Sequence, residues 1–115
     1  MWTLRTPLGD WFDREKRGLF RTVRPFTLAS YRRLSNVYDL CREAARSQVP
    51  GAFAECGVWR GGAGAVMAAV ARAAGSSRIT WLFDSFEGLP APTATDGSEA
   101  PRYAGESPCW TDAPT

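Results

Sequence analysis

The stretch Ala52-Phe-Ala-Glu-Cys-Gly-Val-Trp-Arg-Gly-Gly62 decides the fold of this chain. Residues 52–58 form a short apolar run after a Pro-Gly turn, which is typical of a buried parallel strand. The glycines that follow end the strand and lead into a helical pattern. We therefore predict a strand, a glycine-rich turn and a helix, in that order.

The predicted helix covers residues 63–74, where small and apolar residues repeat at helical spacing. A second apolar run, Ile79-Thr-Trp-Leu-Phe83, is typical of a strand and ends at Asp84. Strand, turn, helix and strand make a βαβ unit, so the predicted fold class is α/β, with ligand bound at the carboxyl ends of the strands. The sulfur and aromatic residues of this unit are predicted to be core residues: Cys56, Met67, Trp81 and Phe83.

The flanking sequence is less regular. Residues 27–48 carry apolar side chains three or four positions apart, which predicts an amphipathic helix with Thr27 as its N-cap. Its predicted buried face is Leu28, Tyr31, Leu34, Tyr38, Cys41 and Ala45. Beyond Asp84 the sequence is rich in proline and glycine, and we predict no helix or strand there. The predicted parts are an N-terminal extension (1–26), a ligand-binding part (27–90) and a flexible tail (91–115).

Composition excludes several classes of function. The 115 residues include no histidine, so no imidazole can act as base or metal ligand within this chain. A net charge of +2 is too weak to indicate a nucleic-acid partner. The three cysteines lack metal-ligand spacing, and neither a long apolar run nor a secretory signal is present. We predict a cytoplasmic protein without a membrane partner.

The glycine-rich turn is the candidate site. Glycines permit positive φ and a close approach of ligand to backbone, and free N–H groups at the start of the next helix can hold an anion. Asp84 is placed to accept hydrogen bonds from the hydroxyls of a ribose. Glu55 lies within an apolar strand, where a carboxylate needs a partner. A ligand ammonium group would be one and a pyrophosphate would not, which favours S-adenosylmethionine over NAD.

Two other interpretations of these residues remain open. The spacing Gly57-x-x-x-Gly61 is by itself compatible with a structural corner that binds nothing. Glu55 can also form an ion pair with Arg60 or another arginine instead of contacting a ligand.

Two longer strings are more specific. Val49-Pro-Gly-Ala-Phe-Ala-Glu-Cys-Gly-Val-Trp-Arg-Gly-Gly62 and Leu82-Phe-Asp-Ser-Phe-Glu-Gly-Leu-Pro90 resemble the macrocin O-methyltransferase family. The resemblance covers about residues 24–105, the N-terminal part of a family member. It implies an incomplete Rossmann-like class I methyltransferase fold: N-terminal helices, the first βαβ unit and a disordered tail. It also implies S-adenosylmethionine as methyl donor and a sugar hydroxyl of a macrolide-like antibiotic as acceptor.

The resemblance assigns residues to the cofactor. Those implied at its methionine end are Glu55, Gly57, Trp59, Arg60 and Gly61, and those on its ribose and adenine side are Asp84, Ser85 and Phe86. It implies Mg²⁺ for complete family members, held by a later part of the sequence, so we expect no catalytic residue and no metal ligand in this chain. We expect a truncated chain that binds cofactor without transferring a methyl group.

Two further hypotheses come from other classes. One is a non-catalytic cofactor-binding remnant or partner module that completes its sheet with another chain, and homo-oligomer formation is left open. The other is a βαβ domain that binds NAD or a nucleotide sugar. Because two parallel strands have open edges, we also expect the chain alone to be marginally stable.

Overall fold

A computed structural model describes residues 13–106 of the chain. These residues belong to two compact units that divide between Phe83 and Asp84. The elements of the first unit are α1 (Arg14–Val23), a 3₁₀ turn (Arg24–Phe26), α2 (Tyr31–Arg46), β1 (Phe53–Cys56), α3 (Gly62–Ala73) and β2 (Thr80–Phe83). Those of the second unit are a 3₁₀ turn (Ala94–Asp96) and α4 (Ala100–Glu106).

The predicted βαβ unit is confirmed. β1 and β2 pair in parallel, with Phe53 opposite Thr80 and Cys56 opposite Phe83. The backbone N–H of Gly57 also donates to the carbonyl of Phe83 (2.9 Å), which extends the ladder beyond β1. α3 connects the two strands, and β1, α3 and β2 each begin and end within two residues of their predicted bounds. The result is a two-stranded parallel sheet, compatible with an incomplete α/β fold.

The predicted cap of α2 is wrong. Its N-cap is Ser30, whose hydroxyl accepts from the N–H of Arg33 (3.4 Å). Thr27 lies before the helix in extended backbone, and its hydroxyl accepts from the N–H of Ala29 (3.0 Å). Leu28 therefore precedes the helix and is 44% exposed. The rest of the predicted face is largely confirmed, with Tyr31, Leu34, Tyr38 and Cys41 buried.

α1 lies in the predicted N-terminal extension, where the resemblance implied helices but no sequence pattern gave their bounds. The side chain of Asp13 caps it by accepting from the N–H of Lys16 (2.9 Å). Lys16 is only 3% exposed, and its ammonium group donates to both oxygens of Asp39 on α2 (3.2 and 3.3 Å). The same group lies 5.2 Å from the ring centre of Tyr38. Lys16 thus links α1 to α2 through an ion pair and a cation–π contact.

The core lies between the three helices of the first unit. It consists of Phe20, Val23, Tyr31, Leu34, Tyr38, Cys41, Val66 and Val70. The ring of Phe20 meets those of Tyr31 and Tyr38 edge-on, at 5.1 and 6.0 Å between centroids. Such aromatic pairs add to the free energy gained by burying apolar surface.

The two faces of the sheet differ. Phe53 and Glu55 lie on the face towards α3 and are half-buried, whereas Ala54 and Cys56 are exposed. Trp81 and Phe83 stack at 6.4 Å and are 53% and 54% exposed. The prediction of buried positions is therefore wrong for Cys56, Trp81 and Phe83, while Met67 packs against the core. Parallel strands bury both sets of side chains only when both faces are covered, and in the described part of the chain this second face, the open face, meets solvent.

The prediction that no helix follows Asp84 is wrong, because the second unit contains α4 and, before it, the 3₁₀ turn Ala94–Asp96. Thr93 and Asp96 form a capping box, in which an oxygen of Asp96 accepts from the N–H and hydroxyl of Thr93 (2.7 and 2.9 Å). These bonds lower the pKa of Asp96. The spacing of a hydroxyl residue and an acid three positions later was the available signal. Residues 107–115 of the predicted tail lie outside the described residues. None of the described helices has the length and apolar character needed to cross a lipid bilayer.

Candidate functional site

The loop between β1 and α3, residues 57–61, has an unusual backbone. Gly57 and Gly61 have φ of 83° and 82°, and Trp59 between them has φ of 51°. The N–H of Gly61 donates to the carbonyl of Val58 (3.0 Å) and closes a tight turn. A Cβ on Gly57 or Gly61 would meet no atom within 4 Å. The glycines are therefore required by the left-handed backbone, and their outer side has room for a ligand.

Trp59 is the residue under strain in this loop. A left-handed conformation costs a non-glycine residue about 1–2 kcal/mol. Its side chain is half-buried, and the guanidinium of Arg60 lies 4.9 Å from its ring centre. Backbone strain of this kind is concentrated at ligand-binding sites, which makes the loop a candidate.

The start of α3 adds a positive electrostatic feature. Its N-cap is Gly61, and no side chain caps the helix. The first helical hydrogen bond runs from the N–H of Ala65 to the carbonyl of Gly61 (2.9 Å). The N–H groups of residues 62–64 therefore have no acceptor within the helix, and together with the helix dipole they favour an anionic group.

Glu55 lies against this helix start. Its Oε2 atom is buried and lies 3.0 Å from the position that a Cβ on Gly64 would occupy. Gly64 is in the first turn of α3, so the carboxylate is close to the positive end of the helix dipole, which stabilises its charge. The burial of Glu55 therefore does not by itself require a ligand cation.

The glycine-rich turn predicted from the sequence also includes Gly62 and Gly64, and the structure places both in α3 with close neighbours. A Cβ on Gly62 would lie 2.6 Å from the carbonyl oxygen of Phe26 and from Cβ of Thr27. A Cβ on Gly64 would lie 2.5 Å from a methyl group of Leu82. Glycine lowers the stability of a helix. Two glycines in one helical turn therefore indicate that close packing requires them.

The predicted residues after β2 form one turn within the second unit. The Oδ1 atom of Asp84 accepts from the N–H of Phe86 (3.0 Å) and lies 3.5 Å from the hydroxyl of Ser85. The N–H of Glu87 donates to that hydroxyl (3.3 Å), and Phe86 has φ of 57°. This Asx turn fixes the orientation of the exposed Asp84 carboxylate.

The structure thus places the eight predicted site residues in two local arrangements. The stretch in the first unit holds Glu55, Gly57, Trp59, Arg60 and Gly61, and the turn in the second unit holds Asp84, Ser85 and Phe86. Among residues 13–106, no group of three or more His, Cys, Asp and Glu side chains is arranged to hold a metal ion.

A parallel βαβ unit whose first strand ends in a left-handed glycine loop is compatible with an incomplete α/β fold. Comparison with known sequences identifies the particular group. The chain belongs to the macrocin-O-methyltransferase (TylF) family, which it matches over residues 10–106. The predicted family is confirmed.

Three curated relatives are similar to the chain. It is 43% identical over 65 residues to 8-demethyl-8-(2,3-dimethoxy-alpha-L-rhamnosyl)-tetracenomycin-C 4'-O-methyltransferase of Streptomyces olivaceus, covering 56% of this chain and 25% of the relative. It is 37% identical over 81 residues to demethyldecarbamoylnovobiocin O-methyltransferase of Streptomyces niveus (70% and 29%). It is 38% identical over 71 residues to mycinamicin III 3''-O-methyltransferase of Micromonospora griseorubida (61% and 28%).

The chain therefore spans between 25% and 29% of the length of these relatives. No solved structure has significant similarity to the chain.

Proposed function

We propose that this chain carries the S-adenosylmethionine-binding part of an O-methyltransferase that acts on a sugar hydroxyl of a macrolide-like secondary metabolite. Membership of the macrocin-O-methyltransferase family supports the reaction class. The relatives support the acceptor class, since all three are named as O-methyltransferases and one of them by a rhamnosyl substrate.

The observation that carries the proposal is the loop over residues 57–61. Its two left-handed glycines have open space outside their Cα atoms, and the loop leads directly into the uncapped start of α3. The N–H groups there fit the carboxylate of an amino acid. Glu55, whose carboxylate lies beside the same helical turn, fits an ammonium group. When bound, S-adenosylmethionine supplies an electrophilic methyl group on a sulfonium centre.

Trp59, Arg60 and Gly61 complete the assigned contacts with the methionine end. Trp59 and Arg60 stack on each other, which limits the motion of both side chains at the loop. Gly61 keeps the loop backbone accessible because it has no side chain. Its φ of 82° also disfavours any other residue at this position. The role of these residues is binding and orientation.

The Asp84 turn is assigned to the ribose and adenine side. A carboxylate can accept hydrogen bonds from two neighbouring hydroxyls, and the N–H of Phe86 holds this carboxylate in one orientation. Ser85 and Phe86 lie in the same turn, and the ring of Phe86 is 52% exposed and so is accessible to a purine.

Charge distinguishes this cofactor from a dinucleotide. The Glu55 carboxylate beside the loop would repel a pyrophosphate, whereas it attracts the ammonium group of S-adenosylmethionine. The described residues do not fit a magnesium ion, since residues 13–106 hold no suitable cluster of ligands. We therefore assign no step to a metal and no proton transfer to Glu55 or Asp84.

Isothermal titration of the full chain with S-adenosylmethionine and with NAD tests the proposal. We expect binding of S-adenosylmethionine and none of NAD. Glu55→Gln and Asp84→Asn should each weaken binding by about tenfold, the loss expected for one charge-assisted hydrogen bond. The matched control is Glu99→Gln, which removes the same charge from an exposed residue just before α4 that pairs with Arg102 at 3.4 Å.

Circular dichroism of each variant separates loss of binding from loss of fold. NAD binding as tight as that of S-adenosylmethionine would contradict the proposal and favour a dinucleotide-binding domain. Unchanged affinity in both the Glu55 and the Asp84 variants would remove the residue assignment.

A further inference from the structure

We propose that the segment Arg24–Thr27 acts as a brace that fixes the start of α3. We also propose that Gly62 is a positioning residue for the loop over residues 57–61, the ligand loop. This inference rests on the proposed function, because it concerns the loop to which S-adenosylmethionine is assigned. It assigns a ligand-positioning role to residues outside the predicted site.

The contact between the brace and α3 is closer than any side chain allows. Gly62 is buried, and its ideal Cβ would lie 2.6 Å from the carbonyl oxygen and 2.9 Å from the carbonyl carbon of Phe26. It would also lie 2.6 Å from Cβ of Thr27. Since two of these atoms belong to the backbone, the conflict cannot be relieved by rotating a side chain. A methyl group at residue 62 must push the helix start and the brace apart.

The brace itself is held firmly. Pro25 restricts its backbone, and the hydroxyl of Thr27 accepts from the N–H of Ala29 (3.0 Å). Val23 before it and Tyr31 after it are buried in the core, at 4% and 5% exposure. The ion pair of Lys16 with Asp39 further ties α1 to α2 (3.2 Å). The brace is therefore fixed to the core on both sides.

The ligand loop and the start of α3 differ in how closely other atoms approach their glycines. Gly57 and Gly61 have open space outside their Cα atoms, whereas Gly62, the next residue, has none. The loop is anchored at its two ends, β1 and the first turn of α3, in addition to its internal hydrogen bond from the N–H of Gly61 to the carbonyl of Val58. That turn carries the N–H groups assigned to the cofactor carboxylate, and a Cβ on Gly64 within it would lie 3.0 Å from Oε2 of Glu55. Moving the turn away from the brace would shift these N–H groups relative to the Glu55 carboxylate.

Gly62→Ala in the full chain tests this inference, with S-adenosylmethionine as the titrated ligand. We expect its affinity to fall by about tenfold or more, since both charged ends of the amino-acid group lose their alignment. The matched control is Val70→Ala, which opens a cavity at the other end of α3, where Val70 is 3% exposed. At a temperature where circular dichroism shows each variant folded, the control should change affinity by less than about twofold.

A second variant separates positioning from general destabilisation. Thr27→Gly in the Gly62→Ala background removes one of the two closest contacts and should restore part of the affinity. Hydrogen exchange gives a readout without ligand: Gly62→Ala should speed exchange of the hydrogen-bonded amides of Gly61 and Ala65 more than those of residues 69–73. Where Gly62→Ala fails to fold, Thr27→Gly alone should weaken binding and loosen the same amides.

The outcomes are distinguishable. If the unmodified chain binds no S-adenosylmethionine, the proposed function fails and this inference with it. If the unmodified chain binds and Gly62→Ala binds equally well, or Val70→Ala weakens binding as much, only the brace is overturned. Uniform acceleration of exchange along α3 would also overturn it.

Discussion

The two faces of the β1–β2 sheet differ in composition and in environment, because the α3 face includes Glu55 and Thr80 whereas the open face carries Trp81 and Phe83. On the face towards α3, Phe53 and Glu55 are half-buried, and Phe53 packs against the helical core. On the open face Trp81 and Phe83 stack on each other and remain about half exposed, at 53% and 54%. An apolar strand therefore indicates only that its side chains prefer burial. Whether they are buried depends on a covering element, which the strand sequence does not specify.

The same substitution in the helical core and on the open face should give the largest contrast in stability. Phe20→Ala removes a ring that is 2% exposed and meets two tyrosines, so we expect a loss of about 3–5 kcal/mol in the free energy of unfolding. Phe83→Ala removes a ring that is 54% exposed, and we expect a loss below about 1 kcal/mol. Urea denaturation followed by circular dichroism measures both. Equal losses would mean that the open face is covered in solution.

Glycine substitutions test how closely α3 packs on its covered side. Gly64→Ala forces a Cβ to within 2.5 Å of Leu82 and 3.0 Å of Glu55, and should cost about 1–3 kcal/mol in stability. Because the Leu82 contact is a flexible methyl group, Leu82→Ala should recover part of this loss in the double variant. Gly18→Ala is the control of opposite sign: nothing lies within 4 Å of its Cβ position in α1, so it should stabilise the chain by about 0.5–1 kcal/mol. Destabilisation by Gly18→Ala would contradict the placement of α1.

Modification of the two described cysteines compares the helical core with the sheet directly, and we expect it to have the smallest effect on stability. Cys56 is exposed at the end of β1, whereas Cys41 is buried in the helical core. In a Cys109→Ser background, a thiol reagent should modify Cys56 at the rate of an exposed thiol and Cys41 at least about 100-fold more slowly. Comparable rates would show that the helical core opens as readily as the sheet.

Burial raises the pKa of the Cys41 thiol, partly opposed by the charge of Arg78. A group whose pKa is raised by folding stabilises the folded state below its ordinary pKa, and this contribution is lost as pH rises above that value. The free energy of unfolding should therefore fall more steeply above about pH 9 in the unmodified chain than in Cys41→Ala. Equal slopes would show that the thiol does not titrate with folding.

Local patterns were sufficient for part of this structure. The 3.6-residue repeat predicted α2 and α3, and the glycine turn between two apolar runs predicted the parallel βαβ unit. Both signals lie within single elements, where sequence spacing determines which side chains share a face. The cap of α2 was harder, since Thr27 and Ser30 are both good caps and tertiary contact with Gly62 fixes Thr27 in another role.

The candidate site was predictable to a similar extent. The strings around Glu55 and Asp84 indicated which residues to examine, and the structure places them in a strained loop and an Asx turn. What the sequence did not reveal are contacts between distant segments, such as Phe26 with Gly62 or Lys16 with Asp39. These depend on how elements pack, and no spacing within one element encodes them.

The parallel pairing of β1 with β2 has a kinetic consequence. An antiparallel hairpin can zip from its turn, but these strands are joined by α3, so their ladder closes only after that whole helix has folded back. All residues of α1, α2 and α3 precede β2 in the sequence, so these helices can contact one another before β2 has been synthesised. As the chain leaves a ribosome, the helices can therefore collapse first, and the sheet is the last part of the first unit to assemble.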